Sequence, residues 1–145
     1  FFWILIYVAT FLFMEFMAWF SHKYIMHGFL WHLHKDHHKK DHGSWFERND
    51  LFFIFYAVVS MSLFILWGEY GFWAGLPMAL GIFTYGMSYF IVHDIFIHQR
   101  FKLFRSTNSK YAKGLRRAHK IHHKSIHKGG GECFGMLWVP MKYFK

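Results

Sequence analysis

The residues of this chain that can do chemistry are its histidines. There are 13 of them in 145 residues, and ten fall into two sets with one shared spacing. The first set is "HKYIMH" (His22, His27) followed by "HKDHH" (His34, His37, His38). The second is "HDIFIH" (His93, His98) followed by "HKIHH" (His119, His122, His123). Each reads H-x4-H and then H-x2-H-H, and residues 34–42 and 119–127 share the longer template His-Lys-x-His-His-Lys-x-x-His. Packing alone gives no reason to gather imidazoles in this way. Charging them together is unfavourable, which lowers their pKa values and favours the neutral form that binds metals. A structural zinc normally closes at about four ligands, so ten histidines suit two metals with about five each.

On a helix, residues i, i+3 and i+4 share a face, so each H-x2-H-H trio is expected to converge on one point. The H-x4-H pairs fit less well. Five helical steps turn the chain by about 500°, so the two rings diverge by about 140°. Either they serve different metals or the helix is interrupted between them, and Gly28 directly after His27 fits an interruption. The lone Cys133 excludes an internal disulfide and C-x-x-C metal spacing. An all-imidazole shell accepts zinc, iron, copper or nickel. A shell this crowded, repeated beside apolar sequence, favours redox chemistry on a lipophilic substrate.

Three apolar blocks must position these residues. Residues 1–20 carry one charge, Glu15; residues 51–67 carry none; residues 72–92 carry none but contain Pro77, Gly75, Gly81 and Gly86. Crossing a bilayer takes about 20 helical residues, so each block reads as a membrane span. The first lacks the basic n-region and small-residue cleavage site of a signal peptide. The fold class expected is an all-α membrane protein with three to four transmembrane helices, one domain over 1–145, and histidine-rich segments at 21–50 and 93–145. One span precedes the first histidine set and two spans joined by "GEYG" (68–71) separate the sets, so both face one compartment. All 17 Lys and Arg lie on that side, five within 21–50 and twelve within 93–145. The positive-inside rule makes it the cytoplasm. The net charge of +9 is thereby explained without a nucleic-acid partner, and no nucleic-acid fold signature is present.

The segments "SHKYIMHG" (21–28), "LWHLHKDHH" (30–38), "FERND" (46–50), "YGMSYFIVHDIFIHQRF" (85–101), "RRAHKIHH" (116–123) and "FGMLWVP" (134–140) together resemble the β-carotene 3-hydroxylases. These stand within the membrane-bound fatty acid hydroxylase and desaturase-like superfamily. The resemblance runs from about residue 13 to the end, and "DIFI" at 94–97 departs from the family's usual "DGLV". It implies that His22, His27, His34, His37, His38, His93, His98, His119, His122 and His123 hold two iron ions, although zinc also fits such a site and can replace iron on purification. It further implies O₂ as co-substrate, an external donor of two electrons, and hydroxylation of C3 of a β-ionone ring towards zeaxanthin. A saturated ring carbon is not acidic, so acid–base residues alone cannot do this. A sterol or fatty-acyl hydroxylase or desaturase would use the same site. A metal transporter or sensor is the reading from another class, but it calls for polar ligands within the spans, which are nearly bare.

Four further residues are candidates to receive the outward N–H of a ligand histidine: Asp36, Asp94, His42 and His127. His32, beside Trp31, reads as structural. Asn49 and Asp50 read as a helix N-cap. Tyr85, Gly86, Tyr89, Phe90 and Phe96 are expected to line the substrate's route from the bilayer. Gly81 and Gly86 serve either close helix packing or room for a polyene. The basic residues Arg100, Lys102, Arg105, Lys113, Arg116 and Arg117 offer a docking face for a ferredoxin-like donor, or ordinary headgroup contact. Residues 133–144 are too short to span and are expected at the interface or packed on the site.

Overall fold

A computed structural model describes residues 1–39 and 43–145, so His42 lies outside the described residues. Among them the regular structure is helical, with no strand. Helix α1 (Phe2–Phe20) runs into a π-helical segment, Ser21–Phe29, which is kinked by non-helical backbone at Gly28 (φ −97°, ψ −124°), the interruption expected after His27, and a short helix α2 (Trp31–His38) follows. Helix α3 (Asp50–Tyr70) ends at Gly71, whose positive φ of 67° closes the helix in the left-handed conformation that glycine tolerates. Helix α4 (Gly75–Tyr89) also runs into a π-helical segment, Phe90–Ile97, and α5 (Lys110–His122) and a final turn (Met141–Phe144) complete the chain. Pro77 falls in the first turn of α4, where its missing N–H disturbs no helical bond.

Three helices are long and apolar enough to cross a membrane: Phe2–Phe29, Asp50–Tyr70 and Gly75–Ile97. The first and third extend past the apolar block read from sequence into polar histidine sequence at the site end, whereas the second runs on through Gly68, Glu69 and Tyr70 at the opposite end. Their outer faces carry exposed Leu5, Leu12, Phe16, Ile54, Phe55, Val58 and Ile65, a surface suited to lipid and to no aqueous phase. The chain is an integral membrane protein.

Helix α4 is the centre of the bundle, packing on α1 and on α3. The α1 contact is close because Gly81 has no side chain; a Cβ there would lie 2.8 Å from Cβ of Thr10. One turn on, the role of glycine reverses. A Cβ at Gly86 would meet only Phe53, at 3.8 Å, and Gly86 borders a cavity between the helices. The two uses left open for these glycines are thus divided between them. Outside the membrane, Leu115 and Ala118 of α5 pack on Val139 and Tyr143 of the C-terminal segment. Ser109 caps α5, its hydroxyl accepting the Ala112 N–H at 3.3 Å.

Candidate metal centre

The π-helical segments answer the problem of the H-x4-H pairs. In a π-helix the backbone bonds from residue i+5 to residue i, so side chains five apart stack on one side. The bond from the His98 N–H to the His93 carbonyl, 2.8 Å, is one of these, and Leu30 bonds Ile25 in the same way at 3.0 Å. His22 and His27 therefore reach one point, and so do His93 and His98.

Nine of the ten predicted ligands gather into two groups. One holds His22, His27, His34, His38 and His122; the other holds His37, His93, His98 and His119. The trios do not converge on single points, as their spacing led one to expect. On α2, His34 and His38 join the first group while His37, about 100° from His38, turns to the second. On α5, His122 crosses to the first group while His119 stays with the second. The crossing residue is the middle one of each trio, so the two halves of the sequence exchange one ligand each. By the same symmetry His123 is the counterpart of His38. Its ring lies between the groups, with centroids 4.5 Å from His38 of the first and 4.7 Å from His37 of the second.

The hydrogen bonds show what these rings are arranged for. Seven Nδ1 atoms face oxygen acceptors. In the first group, Nδ1–H donates to the carbonyls of Phe134 from His22 (3.0 Å), Lys128 from His27 (3.1 Å), Ser125 from His38 (2.8 Å) and Glu132 from His122 (3.1 Å), and to the Asn49 amide oxygen from His34 (2.6 Å). In the second, His37 donates to Glu47 at 2.8 Å and His93 to Asp94 at 3.2 Å. Each acceptor requires its proton on Nδ1, so Nε2 keeps a bare lone pair. Yet the Nε2 atoms point at one another, 3.2 Å apart for His22 and His34, 3.1 Å for His27 and His38, and 3.0 Å for His93 and His37. Lone pairs so disposed repel unless a cation lies among them. Burial argues against protons as that cation. It holds His38 down at about 4, His122 at about 3 and His123 at about 2, and lowers His37, His98 and His119 as well, with neighbouring imidazoles adding to the effect. The buried Nε2 of His123 has no hydrogen-bond partner among the described residues, an omission worth roughly 1–3 kcal/mol. The donor set fits metal ions.

A model of the fatty acid hydroxylase family matches residues 7–142. The chain belongs to that family. The beta-carotene hydroxylase of Pantoea ananas is 40% identical over 136 residues, which cover 94% of this chain and 77% of that protein. That of a Paracoccus strain is 38% identical over 140 residues, covering 94% and 83%. The chloroplastic beta-carotene hydroxylase 2 of Capsicum annuum is 38% identical over 134 residues, covering 88% of this chain and 41% of the plant protein. No solved structure matches the chain.

In this fatty acid hydroxylase family member the "FERND" segment is a support for the histidines. The Asn49 side chain makes no capping bond to the helix it precedes; it holds His34. Asp50 binds Arg100 at 2.9 Å, and Arg100 also reaches Glu47 at 3.0 Å and Asp94 at 3.2 Å. The guanidinium thus ties together the two carboxylates that hold His37 and His93. Asp36 accepts the Arg48 N–H at 2.8 Å, pinning the segment that carries Glu47 and Asn49. Asp94 takes the expected place beside His93. His127 is exposed and outside both groups, and His32 is exposed as well.

The basic face read from sequence is partly consumed. Arg100 is internal; Arg116 stacks on Phe96 and donates to the Phe96 carbonyl at 2.8 Å; Arg117 bonds the Tyr143 carbonyl. Lys102, Arg105 and Lys113 remain exposed.

A cavity of about 410 Å³ lies between α1, α3 and α4, in the size range of small-molecule pockets. Tyr85, Gly86 and Tyr89 line it, with Met14, Phe52, Tyr56, Phe64 and Ile82, and His22, Asn49 and Phe134 close one end. Phe90 and Phe96 are not among its walls. Phe90 is one helical step from Tyr89, about 100° round, and packs beside Phe53 and Phe101. Phe96 lies beyond His93, under Arg116. Sequence reasoning missed Glu47, Arg100 and Phe134 as parts of the site. A run of charges directly before a charge-free span was the available signal for the first.

Proposed function

We propose that this chain is a membrane di-iron monooxygenase that hydroxylates C3 of the β-ionone ring of β-carotene. The observation that carries the reading is an apolar cavity between the spans that ends at His22 of the five-histidine group. When bound, two iron ions supply the oxidising power that O₂ and two electrons generate for attack on an unactivated C–H bond. His22, His27, His34, His38 and His122 would hold one ion, and His37, His93, His98, His119 and His123 the other.

The rest is the work of this chain's own residues. The Nδ1–H tethers fix ring orientation and keep each Nε2 lone pair turned inward. The cavity walls exclude water, and Phe134 covers the histidines at the cavity's end. Tyr85 and Tyr89 line the cavity together with Gly86, where the missing side chain leaves width for a ring rather than an acyl chain. The relatives named beta-carotene hydroxylase support this substrate over a sterol or fatty acid. The one-sided distribution of Lys and Arg supports a cytoplasmic site, and the exposed Lys102, Arg105 and Lys113 are suited to an acidic, ferredoxin-like electron donor.

The test is pigment analysis of β-carotene-producing cells that express the chain. The 3-hydroxylated mono-ol is expected first and the diol later, and Gly86→Trp should block both. Unchanged β-carotene beside newly hydroxylated sterols or fatty acids would overturn the substrate. A cysteine placed at Lys113 should react with reagents confined to the cytosol, and one placed at Glu69 should not.

A further inference from the structure

Glu15 is the one charged residue of the apolar block 1–20, and neither the histidine groups nor the proposed chemistry uses it. It lies seven residues before His22, about 10 Å along the helix axis. An ionisable group at membrane depth is costly unless its charge is met. Here it is met in full. One carboxylate oxygen accepts the N–H groups of Met136 at 3.0 Å, Leu137 at 3.0 Å and Trp138 at 2.9 Å. The other accepts the Tyr85 hydroxyl at 2.7 Å. Three successive amides aimed at one anion form a nest, and the turn that makes it needs glycine just before. A Cβ at Gly135 would collide with the Trp138 carbonyl oxygen.

The segment held in this way supports one histidine group and not the other. Its Glu132 and Phe134 carbonyls receive the Nδ1–H of His122 at 3.1 Å and of His22 at 3.0 Å. The Phe134 ring packs against His27 and His122, each with centroids at 5.1 Å. The four-histidine group takes its acceptors from Glu47 and Asp94 instead. We propose that Glu15 is a positioning residue: by binding the 136–138 amides it sets the carbonyls that orient His22 and His122, and so controls the five-histidine group alone. This rests on reading the two groups as metal sites.

The experiment loads the purified full chain with Co(II) alone and follows ions bound per chain together with the visible Co(II) spectrum. The native chain fills both sites. Glu15→Gln should weaken one of the two sites roughly tenfold or more, the range seen when support of a ligand histidine is lost, and leave the other unchanged. Gly135→Ala, outside the span, displaces the same carbonyls and should give the same one-site loss, which decides the matter if Glu15→Gln does not fold. Two sites of native affinity in both variants, or equal loss from both sites, would overturn the proposal. A native chain that takes up no Co(II) would overturn the metal reading beneath it.

Discussion

The two histidine groups use the same ring nitrogen, but they are held differently. Around the five-histidine group the acceptors for Nδ1–H are four backbone carbonyls and the Asn49 amide. Around the four-histidine group they are the carboxylates of Glu47 and Asp94, themselves tied to Arg100. A carboxylate partner makes a ligand histidine more basic than a carbonyl does. His37 and His93 of the second group are therefore the more strongly donating rings, while the first group depends on the path of the 125–134 segment. Two sites with similar ligands thus respond to different parts of the molecule.

The largest expected effect comes from the ligands that join the halves. Replacing His37 or His122 by alanine breaks one group each, so turnover should be abolished and metal per chain should fall; His127→Ala, outside both groups, serves as the control. Full activity in either of the first two variants would end the comparison, because the group that lost its ligand would then not be a site. Next is Arg100→Gln, which strands Glu47, Asp50 and Asp94 without their shared cation. Breaking a buried ion pair typically costs about 3–5 kcal/mol. Thermal melts should show a large loss of stability, with the four-histidine group losing metal first. A melt within about 0.5 kcal/mol of the native chain, the ordinary range for surface substitutions, would show that the guanidinium holds nothing together.

Asn49→Asp should have a smaller and more telling effect. It gives the five-histidine group a carboxylate acceptor of the kind its neighbour already has. Metal should be retained, and the spectrum of the ion in that group should move toward that of the other. Asn49→Ala should instead weaken the same site by roughly tenfold. Identical spectra for both variants would mean that His34 does not sense its acceptor.

Stability should also depend on pH. His38 and His122 are held at about 4 and about 3 by burial, whereas an unfolded imidazole titrates near 6.5. The unfolded chain therefore takes up protons first as pH falls. Melting temperature should be flat above about pH 6.5 and decline progressively towards about pH 4. A melting temperature that rises on acidification would contradict the neutral, buried rings described above.

Much of this was legible in the chain itself. Apolar blocks of bilayer length define spans without knowledge of their partners, because lipid imposes one rule on every residue between polar ends. The count of spans between the histidine sets put both sets on one side. The spacing H-x4-H, awkward for an α-helix, was the trace of the π-helical segments at Ser21–Phe29 and Phe90–Ile97. Asp94 was recognised beside its histidine because the two are adjacent in sequence. Phe90 and Phe96 were misplaced because closeness to His93 along the chain says nothing about which side of a helix faces a cavity.

Sequence alone therefore determined the three spans, the shared side of the two histidine sets and the spacing within them, since each follows from composition and local pattern. Tertiary structure decided how the histidines divide. His37 and His122 change partners because two short helices present adjacent residues about 100° apart, and their groups form only when α2 and α5 meet. It also decided that Glu47, Arg100 and Asp94 form one clamp, and that Glu15 closes on amides 121 to 123 residues away. Hydrogen bonds and ion pairs of this kind join atoms within about 3 Å, and no pattern along the chain records which distant segments folding will bring that close.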